Sequence, residues 1–537
     1  MYSTVLSASI DGISSRKVTV ESDVSEGLPM FSMVGYLASS TREAADRVRS
    51  SLRNSGFRLP SRHITVNLAP ASLHKDGTIF DLAIAVSLLS AFGFFPQRSL
   101  DGILFLGELS LNGELAPVRG VLEIVSHARQ YGCTAVIVPE RNLEEASLVR
   151  DITVLGAQNM NQVVHFLMEK GSSPSYLASD VAYDPPLLPP RALLRKDISI
   201  EEIRSSQLQA LNVDFSQVCG QPLLRRAAEI AVSGFHNLLM IGPPGSGKTM
   251  IARRIPTILP VTTPEEALEI TKIHSVAGTL PYAAGLLTLR PFRSPHHTIT
   301  PAALCGGGIY PRPGEVSLAS CGVLYLDELP EFDRSVLETL RVPLEDHEIH
   351  IARSEASFTF PANFMLIASM NPCRCGYFPD RSRCTCSDAD VRRYLSRISM
   401  PLLDRIDLCA EARRVYYDEL ALSAGGECSE AIRNRVTRAI EIQRERYRHE
   451  AFCYNSQLNP DSVRKYCALD EAGDMMMKHA YTALDLTARS YHRILKVART
   501  IADLDGGGPI CTGHLSEAIS YRAVDRKYWE GSLSYGS

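Results

Sequence analysis

Residues Gly242-Pro243-Pro244-Gly245-Ser246-Gly247-Lys248-Thr249 follow directly on the apolar run Leu238-Leu239-Met240-Ile241. This is the G-x-x-x-x-G-K-[ST] spacing in the setting it requires, a buried strand entering a loop and then a helix. The glycines let backbone N–H groups turn inward around phosphate oxygens, where side chains would obstruct them. The following helix is expected to direct its positive N-terminal end at the same anion. Lys248 has the reach for β- and γ-phosphates, and the Thr249 hydroxyl suits a Mg2+ ligand. The chemistry is that of binding a nucleoside triphosphate.

Other strand ends point to hydrolysis. Gly322-Val-Leu-Tyr-Leu-Asp-Glu328 reads as a second buried strand closing on adjacent carboxylates. Asp327 is expected on the metal side and Glu328 on the water side, the division of labour that NTPases use. Leu366-Ile-Ala-Ser-Met-Asn371 reads as a third buried strand whose terminal amide can position the attacking water; alone it would be an ordinary turn former. Leu402-Leu-Asp-Arg-Ile-Asp-Leu408 sets Arg405 between two acids, in isolation the pattern of a surface ion pair. Arg489 opens a further helix in Leu486-Thr-Ala-Arg-Ser-Tyr-His-Arg.

The elements that must hold these residues fall into three segments, the first joined to the second by a linker. Residues 1–170 alternate β-type runs (Ile64–Leu68, Ala135–Val138) with helical patterns such as Ser40–Ser55. Residues 171–204 are rich in proline and serine and read as a linker. Residues 205–412 form the P-loop core, and 413–537 carry the charged helical patterns Ile432–Arg448, Asp470–Tyr481 and Tyr491–Leu504, which suit a helical lid.

The 537 residues are 45% hydrophobic and 22% charged, the composition of a soluble globular protein of several domains. With 56 basic and 60 acidic residues the net charge is −4, so any nucleic-acid contact must come from a local patch or an assembled pore. The most apolar stretch, Ile79–Phe95, is interrupted by Asp81 and reads as a buried helix rather than a membrane span. Met1-Tyr-Ser-Thr-Val lacks the basic-then-apolar pattern of a signal peptide. The expectation is a cytoplasmic protein without membrane contact, its 13 cysteines kept as thiols.

The order of these motifs resembles the AAA+ branch that contains magnesium chelatase and the replicative MCM motors. The runs Pro295-His-His-Thr298, Gly306-Gly-Gly308, Pro311-Arg-Pro-Gly-Glu315 and Asn371-Pro-Cys-Arg-Cys-Gly376 are similar to the YifB/ComM family of magnesium chelatase-like competence ATPases. The resemblance implies an α/β AAA+ core with a doubly wound parallel sheet, and ATP with Mg2+ as cofactors. By it Asn371 is sensor 1, Arg405 a trans-acting arginine finger and Arg489 the sensor 2 arginine. A trans-acting finger demands a neighbouring subunit, hence a homo-oligomeric ring, a hexamer. The chain departs from the family pattern at Arg374, where proline is usual, and at Met400, where glycine is usual.

The segments Thr65-Val-Asn-Leu-Ala-Pro70, Lys75-Asp-Gly77 and Gly107-Glu-Leu-Ser-Leu-Asn-Gly113 resemble the Lon protease domain, of the ribosomal S5 domain 2 type. The positions matching its serine–lysine dyad are Ile79 and Leu122, neither of which can be nucleophile or base, so proteolysis has no chemistry to run on. This first domain reads as a scaffold for ring assembly or DNA contact. Arg42, Arg47, Arg49, Arg53 and Arg58 suit the latter, against the default of a solvated helix face.

Two insertions would face the pore of such a ring. Thr279–Pro301 carries Arg290, Arg293, His296 and His297, and Glu345–Phe360 reads as a hairpin with Arg353 near its turn. Related motors press this hairpin on DNA, single-stranded or branched; the alternative is a structural hairpin with solvated charges. Cys373-x-Cys375 and Cys384-x-Cys386 flank a short loop containing Arg381 and Arg383. Four thiolates could hold Zn2+ as a strut for Asn371 or as a basic knuckle against nucleic acid, and free thiols remain the alternative.

The reading is an ATP-driven ring on DNA, with helicase-type branch migration of recombination intermediates in natural transformation as the activity the resemblance implies. The competing readings are a chelatase-type motor subunit that drives metal insertion by a partner, and an AAA+ protein remodeller.

Overall fold

The computed structural model describes residues 1–170, 187, 213–281, 285–308, 311–352, 357–414 and 426–530. They form two compact units, Met1–Ile198 with Ala267–Leu287, and Ser199–Glu266 with Thr288–Ser537. Apart from Leu187, the stretch read as a linker lies outside the described residues, as does Arg353.

In the first unit seven strands form one mixed sheet: β1 (Tyr2–Asp11), β2 (Ser14–Ser25), β3 (Met30–Val34), β4 (His63–Ala69), β5 (Ile103–Phe105), β6 (Ala135–Pro139) and β7 (Thr153–Ala157). Their order is β3-β4-β2-β1-β5-β6-β7. Residues along β4 alternate between buried and half-buried, the period of two expected of a strand with one face on the core. Helix Asp81–Ala91 is buried almost all round, which explains its near-continuous apolar sequence. Ile79, matched from the sequence to the nucleophile position, packs in this core, and Leu122, matched to the base position, is fully buried. Ala267–Leu287 lies in sequence inside the stretch read as the P-loop core, yet it packs in this first unit. There Lys272 pairs with Glu123 at 3.1 Å and the Ser275 carbonyl accepts the Gly120 N–H at 3.1 Å.

The second unit is built on a fully parallel sheet of β8 (Leu238–Ile241), β9 (Phe292–Arg293), β10 (Val323–Leu326), β11 (Met365–Met370) and β12 (Leu408–Glu411), in the order β9-β10-β11-β8-β12. Every residue of β8, β10 and β11 is buried, as the unbroken apolar runs require of strands covered on both faces. Helix Pro222–Gly234 packs on β8 and β12, and among the described residues helices Ser429–Arg446, Pro460–Tyr466, Glu471–Ala483, Ala488–Leu504 and Thr512–Asp525 form the C-terminal helical part. The fold is therefore α/β, with a parallel-sheet core followed by helices. Residues Glu348–Ala352 and Ser357–Pro361 pair as the antiparallel hairpin expected from the sequence. Among the described residues, no helix is long and apolar enough to cross a membrane.

Candidate nucleotide site and arginine face

Parallel strands present their carboxyl ends at one edge, where ligands bind in open α/β sheets. Here β8 ends at the P-loop, β10 at Asp327 and β11 at Asn371, with Ile241 directly beside Met370 and Leu326 beside Ala368. The three strand-end motifs of the sequence thus meet at one edge. Gly245 and Gly247 have φ of 74° and 85°, so the loop needs residues free to enter the left-handed region. Gly242 is glycine for space: a Cβ there would lie 2.5 Å from the Ala412 Cβ. The helix after the loop, Lys248–Ala252, is only five residues long. Little macrodipole accumulates over that length, so the loop's N–H groups must carry most of the anion binding expected of the helix end.

Thr249 donates its hydroxyl to Asp327 at 2.9 Å, so the two candidate Mg2+ residues are already in contact. Asp327 also accepts from Ser369, whose hydroxyl lies 3.1 Å from that of Tyr325. Glu328 is exposed and has a φ of 53°, a left-handed conformation that costs a non-glycine residue about 1 kcal/mol or more. Lys248 donates to the carbonyls of Gly242 (2.8 Å) and Pro243 (2.9 Å) and to Asn371 Oδ1 (3.3 Å), so the lysine and the Asn371 amide touch.

Burial pushes the Lys248 ammonium down to about 8, against the opposing pull of Asp327 and Glu328. A bound phosphate chain favours the charged form and raises this pKa. Below about pH 8 the lysine is already charged and nucleotide affinity should be flat. Above it, binding must take up a proton, and affinity should fall by up to about tenfold per pH unit. Calorimetric titration with ATP across this range checks the slope, and Lys248→Arg, charged throughout, should abolish it.

Arg405 precedes β12 and so lies at the opposite edge of the sheet. Asn237, just before β8, bonds the Arg405 carbonyl at 2.9 Å and takes Asp407 on its N–H at 3.0 Å. At about 3.3 Å per residue, the strand separates Arg405 from its own P-loop by on the order of 10 Å. Its guanidinium donates to the carbonyls of Arg341 (2.8 Å) and Pro401 (2.7 Å) and pairs with Glu345. Arg489 pairs with the same Glu345 at 3.1 Å. Arg405 and Arg489 therefore share one carboxylate, on a face apart from the phosphate edge. Burial raises the pKa of Asp407, but His236 at 3.5 Å and the charges of Arg493 and Lys496 outweigh it and hold the group at about 2. With Arg493 at 3.5 Å from Asp407 and Arg522 at 3.4 Å from Asp404, both flanking acids are tied to the C-terminal helices.

The thiols of Cys373, Cys375, Cys384 and Cys386 lie within 4.8 Å of one another. The Sγ separations are 3.3 Å (Cys373–Cys375), 3.5 Å (Cys375–Cys384) and 3.7 Å (Cys373–Cys384). Zn–S bonds of about 2.3 Å place tetrahedral sulfurs about 3.8 Å apart, so the quartet is gathered as such a site requires. Arg381 is engaged inside the loop by Asp388 and the Cys386 carbonyl.

The expected DNA residues fare unequally. His296 is exposed, with His297 beside it at 4.1 Å between ring centroids. Arg293 is held by both oxygens of Glu315, at 2.6 and 2.7 Å. Arg290 is not at a surface at all: it is buried between Glu266, the Cys321 carbonyl and the Pro260 carbonyl. Arg47 likewise serves the fold, clamping buried Asp81 with two bonds of 2.9 Å, while Arg42, Arg49, Arg53 and Arg58 are exposed.

Three residues take roles here that the sequence did not assign to them. Ser369 was signalled by being polar within a buried apolar strand, where a hydroxyl needs a partner. Gln221, buried, donates to the Ser246 carbonyl at 3.0 Å and fixes the P-loop from the side. Glu345 carries no local signal.

Family comparisons cover most of the chain. The profile "Magnesium chelatase, subunit ChlI" matches residues 214–420, "Subunit ChlI of Mg-chelatase" residues 20–142, and "Magnesium chelatase, subunit ChlI C-terminal" residues 426–522. The competence protein ComM of Haemophilus influenzae is 41% identical over 517 residues, 96% of each chain. The YifB protein of Escherichia coli (strain K12) is 40% identical over the same shares. Lon protease 2 of Herpetosiphon aurantiacus is 26% identical over 159 residues, 27% of this chain and 19% of its own.

Proposed function

Because this chain belongs to the YifB/ComM family of magnesium chelatase-like AAA+ ATPases, we propose that it is an ATP-hydrolysing hexameric ring that moves on DNA, driving helicase-type branch migration of recombination intermediates. The observation that carries the ring is the position of Arg405, at the sheet edge opposite its own phosphate loop. A cation there has no γ-phosphate of its own chain to serve, and a neighbour's site gives it one. Arg489, tied to the same Glu345, would join it at that interface.

Within each site, Gly242 to Thr249 cradle the phosphates of ATP and Lys248 neutralises them. Thr249 and Asp327 would hold Mg2+, which when bound offsets the charge on the phosphate oxygens. Glu328 accepts the proton of the attacking water and Asn371 fixes that water's direction. Zn2+ on the four thiols completes the cofactors of this reading. The DNA arm rests on the competence name of the relative at 41% identity. Exposed His296, with His297, Arg293 and the hairpin that carries Arg353, supplies its candidate contacts. The cytoplasm is the compartment that this reading requires.

A chelatase-type motor subunit is the second reading, favoured by the ChlI descriptions of the matching profiles. ATPase assays with linear, single-stranded and branched DNA separate the two. The DNA motor is stimulated, the stimulation falls steeply with salt, and Arg353→Ala weakens it. The chelatase subunit is indifferent to every DNA form.

A further inference from the structure

The thiol loop does not stand apart from the nucleotide site. It begins two residues after Asn371, and its turn, closed by the Gly376 N–H on the Cys373 carbonyl at 3.0 Å, lies against the P-loop. A Cβ on Gly376 would fall 2.3 Å from Cδ and 2.8 Å from Cγ of Pro244, the third residue of the P-loop. Gly376 also has a φ of 83°, so two independent constraints keep side chains out of this contact. On its other side the loop is anchored: Phe378 packs on Tyr528 at 6.1 Å, and Tyr528 bonds Glu411 at the end of β12 with 2.8 Å. The Phe378 N–H lies 3.4 Å from Cys373 Sγ, and Cys373 is buried whereas the other three thiols are partly exposed.

We propose that Zn2+ bound by Cys373, Cys375, Cys384 and Cys386 is a strut of the nucleotide site, fixing the loop whose Gly376 turn supports P-loop residue Pro244 and whose start sets Asn371. This rests on the tetrathiolate reading of the quartet and adds a consequence to it. Residues 373–386 are too few for a core of their own, so without the metal only the Phe378 anchor and scattered polar contacts hold the turn. A loosened turn leaves Pro244 unsupported and lets the sensor amide drift from Lys248. Arg381, spent on Asp388 and a carbonyl within the loop, makes a poor nucleic-acid contact, which favours the strut over the basic knuckle.

The test uses the full chain and a fluorescent ATP analogue. Metal analysis of protein purified without chelator should give about one zinc per chain. Removal of that zinc should weaken nucleotide binding about ten- to a hundredfold, the scale of a misplacement on the order of 1 Å, and added Zn2+ should restore it. Gly376→Ala should retain zinc and the same binding defect, because its four thiols are untouched; circular dichroism confirms that it is folded. Protein that carries no zinc, and takes up none, overturns the metal reading. Stoichiometric zinc whose removal leaves nucleotide affinity unchanged, with Gly376→Ala binding normally, overturns the strut and leaves the metal reading standing. Since no arm contains DNA, neither outcome bears on the DNA motor.

Discussion

Replacing Glu328 by glutamine should leave ATP binding near its wild-type strength and lower turnover by about 10²–10⁴-fold, the contribution of a positioned general base. The amide has almost the carboxylate's shape and no basicity, so the substitution isolates proton acceptance from packing. The left-handed backbone at Glu328 strengthens this expectation, because backbone strain at an exposed acid is retained where its direction matters. Lys248→Ala should fail earlier: its ammonium is the cation in contact with the P-loop carbonyls, and without it nucleotide binding itself is lost. Equilibrium binding and single-turnover hydrolysis, measured on both variants, separate the two roles. Wild-type hydrolysis by Glu328→Gln would remove Glu328 from the mechanism.

Arg405→Ala should bind ATP and lose hydrolysis by about 10³–10⁵-fold, the worth of an arginine finger at the transition state. Mixing it with Glu328→Gln subunits should restore part of the activity. In a mixed ring some interfaces pair an intact Glu328 with an intact Arg405 from the neighbour, although neither parent ring contains one. A cis-acting arginine gives no rescue at any ratio, in rings shown to exchange subunits. Glu345→Gln offers a related measurement: it frees Arg405 and Arg489 from their shared carboxylate without removing either cation.

What the sequence could tell follows contact range. The P-loop, Asp327 and Asn371 were legible because each motif is contiguous and each closes a buried apolar run, so that parallel pairing alone brings them to one edge. The cysteine quartet was legible as a group because its members lie within fourteen residues, 373 to 386. The Gly376–Pro244 contact was not, since it joins loops from non-adjacent parts of the chain. Glu345 was invisible for the same reason: residues 345, 405 and 489 meet only after the C-terminal helices fold onto the core. Arg290 and Arg47 were misread as candidate surface cations because a sequence does not display the acids that bury them, Glu266 and Asp81. The grouping of Ala267–Leu287 with the first unit is likewise a tertiary fact without a local signal.

The central claim is that ATP hydrolysis by this chain moves DNA strands. Its most direct test is a labelled four-way junction incubated with the purified protein and ATP, or with a non-hydrolysable analogue, and resolved into products. The account predicts that ATP drives conversion of the junction to duplex products, that the analogue supports binding without conversion, and that Glu328→Gln behaves with ATP as the wild type does with the analogue. An intact junction in the presence of active ATPase, with hydrolysis rates indifferent to added DNA, would contradict it.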